Sequence, residues 1–189
     1  MIVGIALAAA VAGAFFYGYS RFAGPGPHDA PVVVIIPDGA SLTATARRLA
    51  ETGVVSAAIL FTWGTRLQGA DRDIRAGEYR IPAHASMAEV LAILRSGNVV
   101  QHTITIPEGL TSAQIVALVN AADALVGEVA TIPPEGTLLP ETYHYVRGTH
   151  RADLIARMQA AMESTLARLW AERDKERAPE TPQAALILA

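Results

Sequence analysis

The sequence predicts an α+β fold carried behind an N-terminal membrane-spanning helix. Three observations predict it. Residues 2–19 form an apolar run with no charged residue. The body then repeats one local order, a short strand, a proline turn, a Ser or Thr, and an amphipathic helical stripe. An irregular stretch rich in proline and aromatic residues follows, and after it one long helical pattern. A chain of 189 residues is enough for one ordinary domain or two small ones.

The apolar run reads as an uncleaved anchor over residues 1–20. As a helix, residues 2–19 span about 27 Å, close to the roughly 30 Å hydrocarbon core of a bilayer. Phe15, Phe16, Tyr17 and Tyr19 gather at its end, where an aromatic interface belt lies, and Arg21 follows. A cleaved signal peptide needs a basic n-region before a small-residue site. The triplet Ala8-Ala9-Ala10 lies inside the apolar run, with no Lys or Arg before it. Residues 21–31 read as a tether. Gly24-Pro25-Gly26-Pro27 cannot continue a helix and favours extended, solvated chain. Globular structure is expected from Val32.

Val33 to Ile36 is a β-branched run before Pro37-Asp38-Gly39, and Ser41 precedes a stripe of Leu42, Ala46, Leu49 and Ala50 that Gly53 stops. The order returns as Tyr79-Arg80-Ile81, Pro82, Ser86 and the stripe Met87, Val90, Leu91, Leu94 up to Gly97. It returns again as Thr103 to Ile106, Pro107-Glu108-Gly109, Thr111 and the stripe Ile115, Leu118, Val119. The Ser and Thr are N-cap residues. The spacing between units is unequal, so this is one local solution used three times and not a solenoid. A further helix over residues 57–67, capped by Ser56, carries Leu60, Trp63 and Leu67 on one face. Beyond Asn120 the pattern loosens. Residues 132–145 are irregular, with Pro133, Pro134, Gly136 and Pro140 close together. A helix over residues 151–173 follows, with Leu154, Met158, Ala161, Met162, Leu166 and Leu169 as its stripe. A mixed-charge run at 173–177, a linker at 179–182 and an apolar helix starting near Gln183 complete the pattern.

Composition excludes several chemistries. Lys plus Arg is 15 against 18 Asp plus Glu, a net charge of -3 with no long basic run, so no nucleic-acid partner is expected. Without cysteine there is no disulfide or thiolate nucleophile. His28, His84, His102, His144 and His150 make no metal-ligand spacing, so no metal is expected. No Gly-x-Ser-x-Gly elbow, Walker loop or dinucleotide fingerprint appears, and no cofactor is expected.

Carboxylates remain. Pro-Glu-Gly occurs at 107–109 and 134–136. Glu108 leads into a clear helix, and its proximity to that N-terminus explains it. Glu135 lies in the irregular segment with Glu141, Tyr143 and Tyr145, the kind of loop that often holds a site, although spacing alone reads it as a turn residue. A two-carboxylate glycosidase needs its pair about 5 to 9.5 Å apart. Glu135 and Glu141 lie about 20 Å apart if the segment is extended, and pair only if Gly136 or Pro140 folds it back.

Two stretches carry a resemblance. Thr105-Ile106-Pro107-Glu108-Gly109-Leu110-Thr111 with Ile115, then Glu135-Gly136-Thr137-Leu138-Leu139-Pro140-Glu141-Thr142-Tyr143, resemble the YceG/MltG family of murein transglycosylases. Gly77-Glu78-Tyr79, Ser86-Met87-Ala88-Glu89-Val90-Leu91 and Gly97 resemble its LysM-like domain. The resemblance implies an N-terminal transmembrane helix, a LysM-like small α/β domain at 32–104, and at 105–189 the first part of an α+β catalytic domain. It implies a single-pass inner-membrane protein with its body on the periplasmic side. Such a protein cleaves MurNAc-GlcNAc bonds within peptidoglycan glycan strands, leaves 1,6-anhydro-MurNAc ends, and works beside penicillin-binding proteins.

The family's catalytic Glu lies in a helix that Ala185-Leu186-Ile187-Leu188-Ala189 resembles the approach to. The catalytic residue is therefore expected beyond Ala189, and the fragment is expected to be inactive. The segment from Glu135 to Thr142 matches the family's Glu-Gly-x-x-x-Pro-Asp-Thr. It departs at Glu141, where Asp is usual, and at Thr137, Leu138 and Leu139, where aromatics are common. By resemblance Glu135, Glu141, Tyr143 and Tyr145 bind substrate, and Tyr143 and Tyr145 either stack on sugar faces or fill the core. The acid of such a reaction must stay neutral, which burial against apolar neighbours such as Leu138 and Leu139 supplies, and Glu135 is an understudy for that role. The alternative function is a non-catalytic, membrane-tethered peptidoglycan-binding or scaffold module.

Overall fold

The computed structural model describes residues 2–173 and residue 181. The mixed-charge run, linker and apolar helix expected beyond Arg173 lie outside the described residues, Thr181 excepted. The fold is α+β, in two units, Met1–Val100 and Gln101–Ala189.

Unit 1 holds α1 (Ile2–Ala23), β1 (Val32–Ile36), α2 (Leu42–Glu51), α3 (Ala58–Leu67), β2 (Gly77–Ile81) and α4 (Met87–Ser96). Among the described residues α1 is the one helix long and apolar enough to cross a membrane. β1 and β2 pair antiparallel, Val32 opposite Ile81 and Ile36 opposite Gly77. Strand alternation turns Val34, Ile36, Tyr79 and Ile81 into the core and leaves Val33 and Ile35 outside. α4 begins in a full capping box. Ser86 Oγ accepts the Glu89 N–H, and the Glu89 carboxylate accepts the Ser86 N–H at 2.7 Å. The Ser86 backbone N–H, then its hydroxyl, hold the Glu89 carboxyl below its usual range. Gly97, with φ 70°, closes the helix in the left-handed region. Met87, Val90, Leu91 and Leu94 reach the core with Leu49, Phe61 and Tyr79.

Two expectations for unit 1 are corrected. Ser56 does not cap α3. The helix begins at Ala58, its N-cap is Ala57, and Ala57 makes no side-chain capping bond. Ser56 therefore stands one position too early. The segment before β1 is only in part a solvated tether. α1 continues to Ala23, and Phe22 is buried against Phe61, ring centroids 6.5 Å apart. The Gly26 N–H donates to the His84 carbonyl at 2.9 Å, and the His84 N–H to the His28 carbonyl at 2.8 Å. The buried His28 ring donates through Nε2 to the Pro82 carbonyl at 2.6 Å. Gly26 permits this, because a Cβ there would collide with the Ala85 carbonyl oxygen. Backbone groups that composition assigned to water are paired with the turn after β2.

Unit 2 holds β3 (Gln101–Thr105), α5 (Ser112–Ala121), β4 (Thr142–Val146) and α6 (Arg151–Glu172). β3 and β4 pair antiparallel, Gln101 opposite Val146 and Thr105 opposite Thr142. α5 starts in a second capping box, Thr111 with Gln114. Ile115, Val119, Leu138, Tyr143, Leu154 and Met158 fill this core. All but the last residue of β4 lies inside the stretch expected to be irregular. Its signal is the alternation of Tyr143 and Tyr145, buried, with His144, exposed. α6 buries Leu154, Ile155 and Met158 only, and Leu169, at the end of the expected stripe, is 52% exposed.

Candidate functional site

The irregular segment of unit 2, residues 132–141, lies between α5 and β4. Gly136, at φ 75°, turns it where a Cβ would be strained. Thr137 ties the turn, its N–H and hydroxyl both reaching the Pro134 carbonyl, at 3.3 and 2.7 Å. Leu138 is buried in the core, and the Leu139 N–H donates to the Met158 carbonyl of α6 at 3.3 Å. The Glu141 carbonyl accepts the Ile106 N–H at 3.0 Å, which starts the β3–β4 ladder.

The four expected site residues fall into two pairs. Glu135 and Glu141 are exposed. One carboxylate oxygen of Glu135 accepts the Ser112 N–H at 2.8 Å, at the first turn of α5. Ser112 returns the contact, its buried hydroxyl donating to the Pro134 carbonyl at 3.1 Å. An N-terminal N–H of a helix has no intrahelical partner and favours an anion. Glu135 thus serves as a cap delivered from 23 residues away. Burial of Glu135, expected from its apolar neighbours, is not found, because Leu138 turns inward and Glu135 outward.

Tyr143 and Tyr145 point into the core from β4, 7% and 8% exposed. The Tyr143 hydroxyl donates to the Leu139 carbonyl at 2.7 Å and so closes the loop on itself. Burial pushes its phenol up, the Glu141 carboxylate pushes it further, and Arg157 opposes both. Arg157 also donates to the His144 carbonyl at 3.0 Å. The Tyr145 ring stacks on His102 of β3, centroids 5.7 Å apart.

Sequence reasoning missed Ser112, Asn120, Arg151 and Arg157. Asn120 clamps Val129 through two bonds of 3.1 Å. Arg151 spreads its guanidinium over the carbonyls of Val119, Ala122 and Gly127. All four act on backbone distant in sequence, where no spacing rule reaches.

The model of the YceG-like family matches residues 34–189. The chain belongs to the YceG-like family. The matched region begins within β1 and takes in the rest of unit 1 and all of unit 2, so the YceG-like part excludes α1 and the clipped segment that follows it. Among solved structures, the chain is similar to a yceG-like protein of Listeria monocytogenes, at 20% identity and a TM-score of 0.43. The likeness covers 76% of this chain and 57% of that one, so this YceG-like chain spans little more than half the length of that relative. No curated protein matches it.

Proposed function

We propose that this chain belongs to a membrane-anchored peptidoglycan lytic transglycosylase that cuts MurNAc-GlcNAc bonds within nascent glycan strands and leaves 1,6-anhydro-MurNAc ends. The observation that carries this reading is membership of the YceG-like family over both units. The apolar α1 supports it, since an enzyme of new cell wall works beside a membrane. On this reading the body stands on the periplasmic side of the inner membrane, near penicillin-binding proteins.

The chemistry asks one carboxyl group to do two jobs. It first protonates the glycosidic oxygen as an oxocarbenium-like transition state forms. The resulting carboxylate then takes the proton of the sugar's own 6-hydroxyl, which closes the anhydro ring. Water is not the nucleophile, so no second carboxylate is required to activate it. The proton donor on this reading is the glutamate of the family's catalytic helix. Residues 135–145 form a wall of the glycan cleft, with Glu141 as its exposed contact, Tyr143 and Tyr145 beneath, and Glu135 as its brace. Residues 32–104, the LysM-like part, hold the strand.

Digestion of purified sacculi by the natural full-length protein tests the proposal, with ends read by mass spectrometry. New anhydro ends are expected. Reducing ends that have captured water, or binding with no new ends, overturn it.

A further inference from the structure

α3 carries a second apolar face that the core does not use. Its buried side chains are Phe61 and Thr65. Ile59, Trp63 and Leu67, one helical step of four apart, are 66%, 58% and 72% exposed. They form a stripe about 12 Å long. The stripe borders a cavity of about 480 Å³, walled by Phe15, Gly18 and Tyr19 of α1 and by Leu60, Trp63 and Leu67 of α3.

Helix α1 fixes what faces this surface. Its 22 residues make about 33 Å of helix, slightly more than the roughly 30 Å hydrocarbon core. Its last turn, from Tyr19 to Phe22 beside Arg21, therefore stands at the membrane boundary. α3 is locked to that turn. The Phe22 ring sits against Phe61 and directly on Gly64, where a Cβ would collide with it. α3 holds no Asp or Glu, and Arg66 on it and Arg21 on α1 are exposed, as anionic headgroups require. Trp63 has the amphipathic ring that favours this depth.

We propose that α3 lies in the lipid interface of the leaflet from which α1 emerges, with Ile59, Trp63 and Leu67 set among headgroups and the first acyl carbons. Unit 1 is then held to the bilayer by two helices. The inference rests on α1 crossing the membrane.

The test uses the full chain in vesicles of phosphatidylethanolamine and phosphatidylglycerol, with Trp170→Phe leaving Trp63 as the single tryptophan of the two. Lipids brominated near the headgroup should quench Trp63. Aqueous iodide should quench it several-fold less than in the same protein with Ile59→Ser and Leu67→Ser, two changes at exposed positions that leave the core intact. Trp63 open to iodide and untouched by bromolipid, in protein that resists alkaline extraction, overturns the α3 inference while α1 stands. Trp63 shielded from both quenchers shows a protein cover, such as a second copy, and also overturns it. Extraction by alkali sinks the α1 reading and this one together.

Discussion

The two units share a frame and differ in what fills it. Each runs strand, helix, connection, strand, helix, and each pairs its two strands antiparallel over five residues. In unit 1 the connection is α3, which buries Phe61 in the core against Phe22 of α1 and leaves Ile59, Trp63 and Leu67 exposed. In unit 2 the connection is the irregular segment that ends at Glu141, pinned to α5 by Glu135 and to α6 by Leu139. The ends of the first helices differ as well. α2 is closed locally, where Gly53 takes φ 71° and donates to the Ala50 carbonyl at 3.0 Å. α5 has no such glycine, and its last carbonyls are taken by Arg151 from the start of α6. A frame that tolerates two such different inserts supports, and the inserts specialise.

The largest expected effect falls on the insert of unit 1. Phe61→Ala should cost about 3–5 kcal/mol, the range for emptying a buried aromatic site, read as lost amide-exchange protection in β1 and β2. Leu138→Ala, its counterpart in unit 2, should cost less, about 2–3 kcal/mol. An equal loss would break the contrast between a helical insert built into the core and a loop laid over it. Arg151→Met should cost about 1.5–3 kcal/mol, because it takes the guanidinium from the carbonyls of Ala122 and Gly127 and leaves that of Val119 with the Ala122 N–H alone, with faster exchange at residues 120–127. No change there would show that water closes this helix as well as arginine does.

Glu135→Ala should cost about 1 kcal/mol, as loss of a helix cap does, and on the proposed function should lower glycan cleavage by the full-length protein. Glu135→Gln keeps an acceptor oxygen for the Ser112 N–H and should restore both. Restored stability without restored cleavage would move Glu135 from bracing the loop to touching the sugar. The smallest effect compares the capping boxes. Glu89 titrates and Gln114 does not. The Glu89 carboxyl is held low in the folded protein. Its contribution is therefore present above the ordinary Glu range near about 4.3 and fades as pH falls through the lowered folded value. Glu89→Gln should flatten the acid side of the unit 1 melting profile, whereas Gln114→Glu should introduce a matching slope in unit 2.

Local signals carried most of the frame. Ser41, Ser86 and Thr111 announced three helices because an N-cap acts within its own turn, and Gly97 ended α4 for the same reason. β4 was hidden because Val146-Arg147-Gly148 closes it where the other strands run into Ile-Pro, and only two tyrosines mark its period. Trp63 and Leu67 stood on one face of a helix, but nothing local said that Phe61 would claim the core. Glu135 was legible as a loop carboxylate. Its partner Ser112 was not, since their contact is made by folding and not by spacing.

The clip between Gly26, His28 and the turn at 82–84 bears on reach. A free leash of eleven residues would let the body wander by about 17–20 Å and stand at many heights. A bracket in its place sets one altitude. On the proposed function, a glycan strand must then come to it within a thin layer above the lipid.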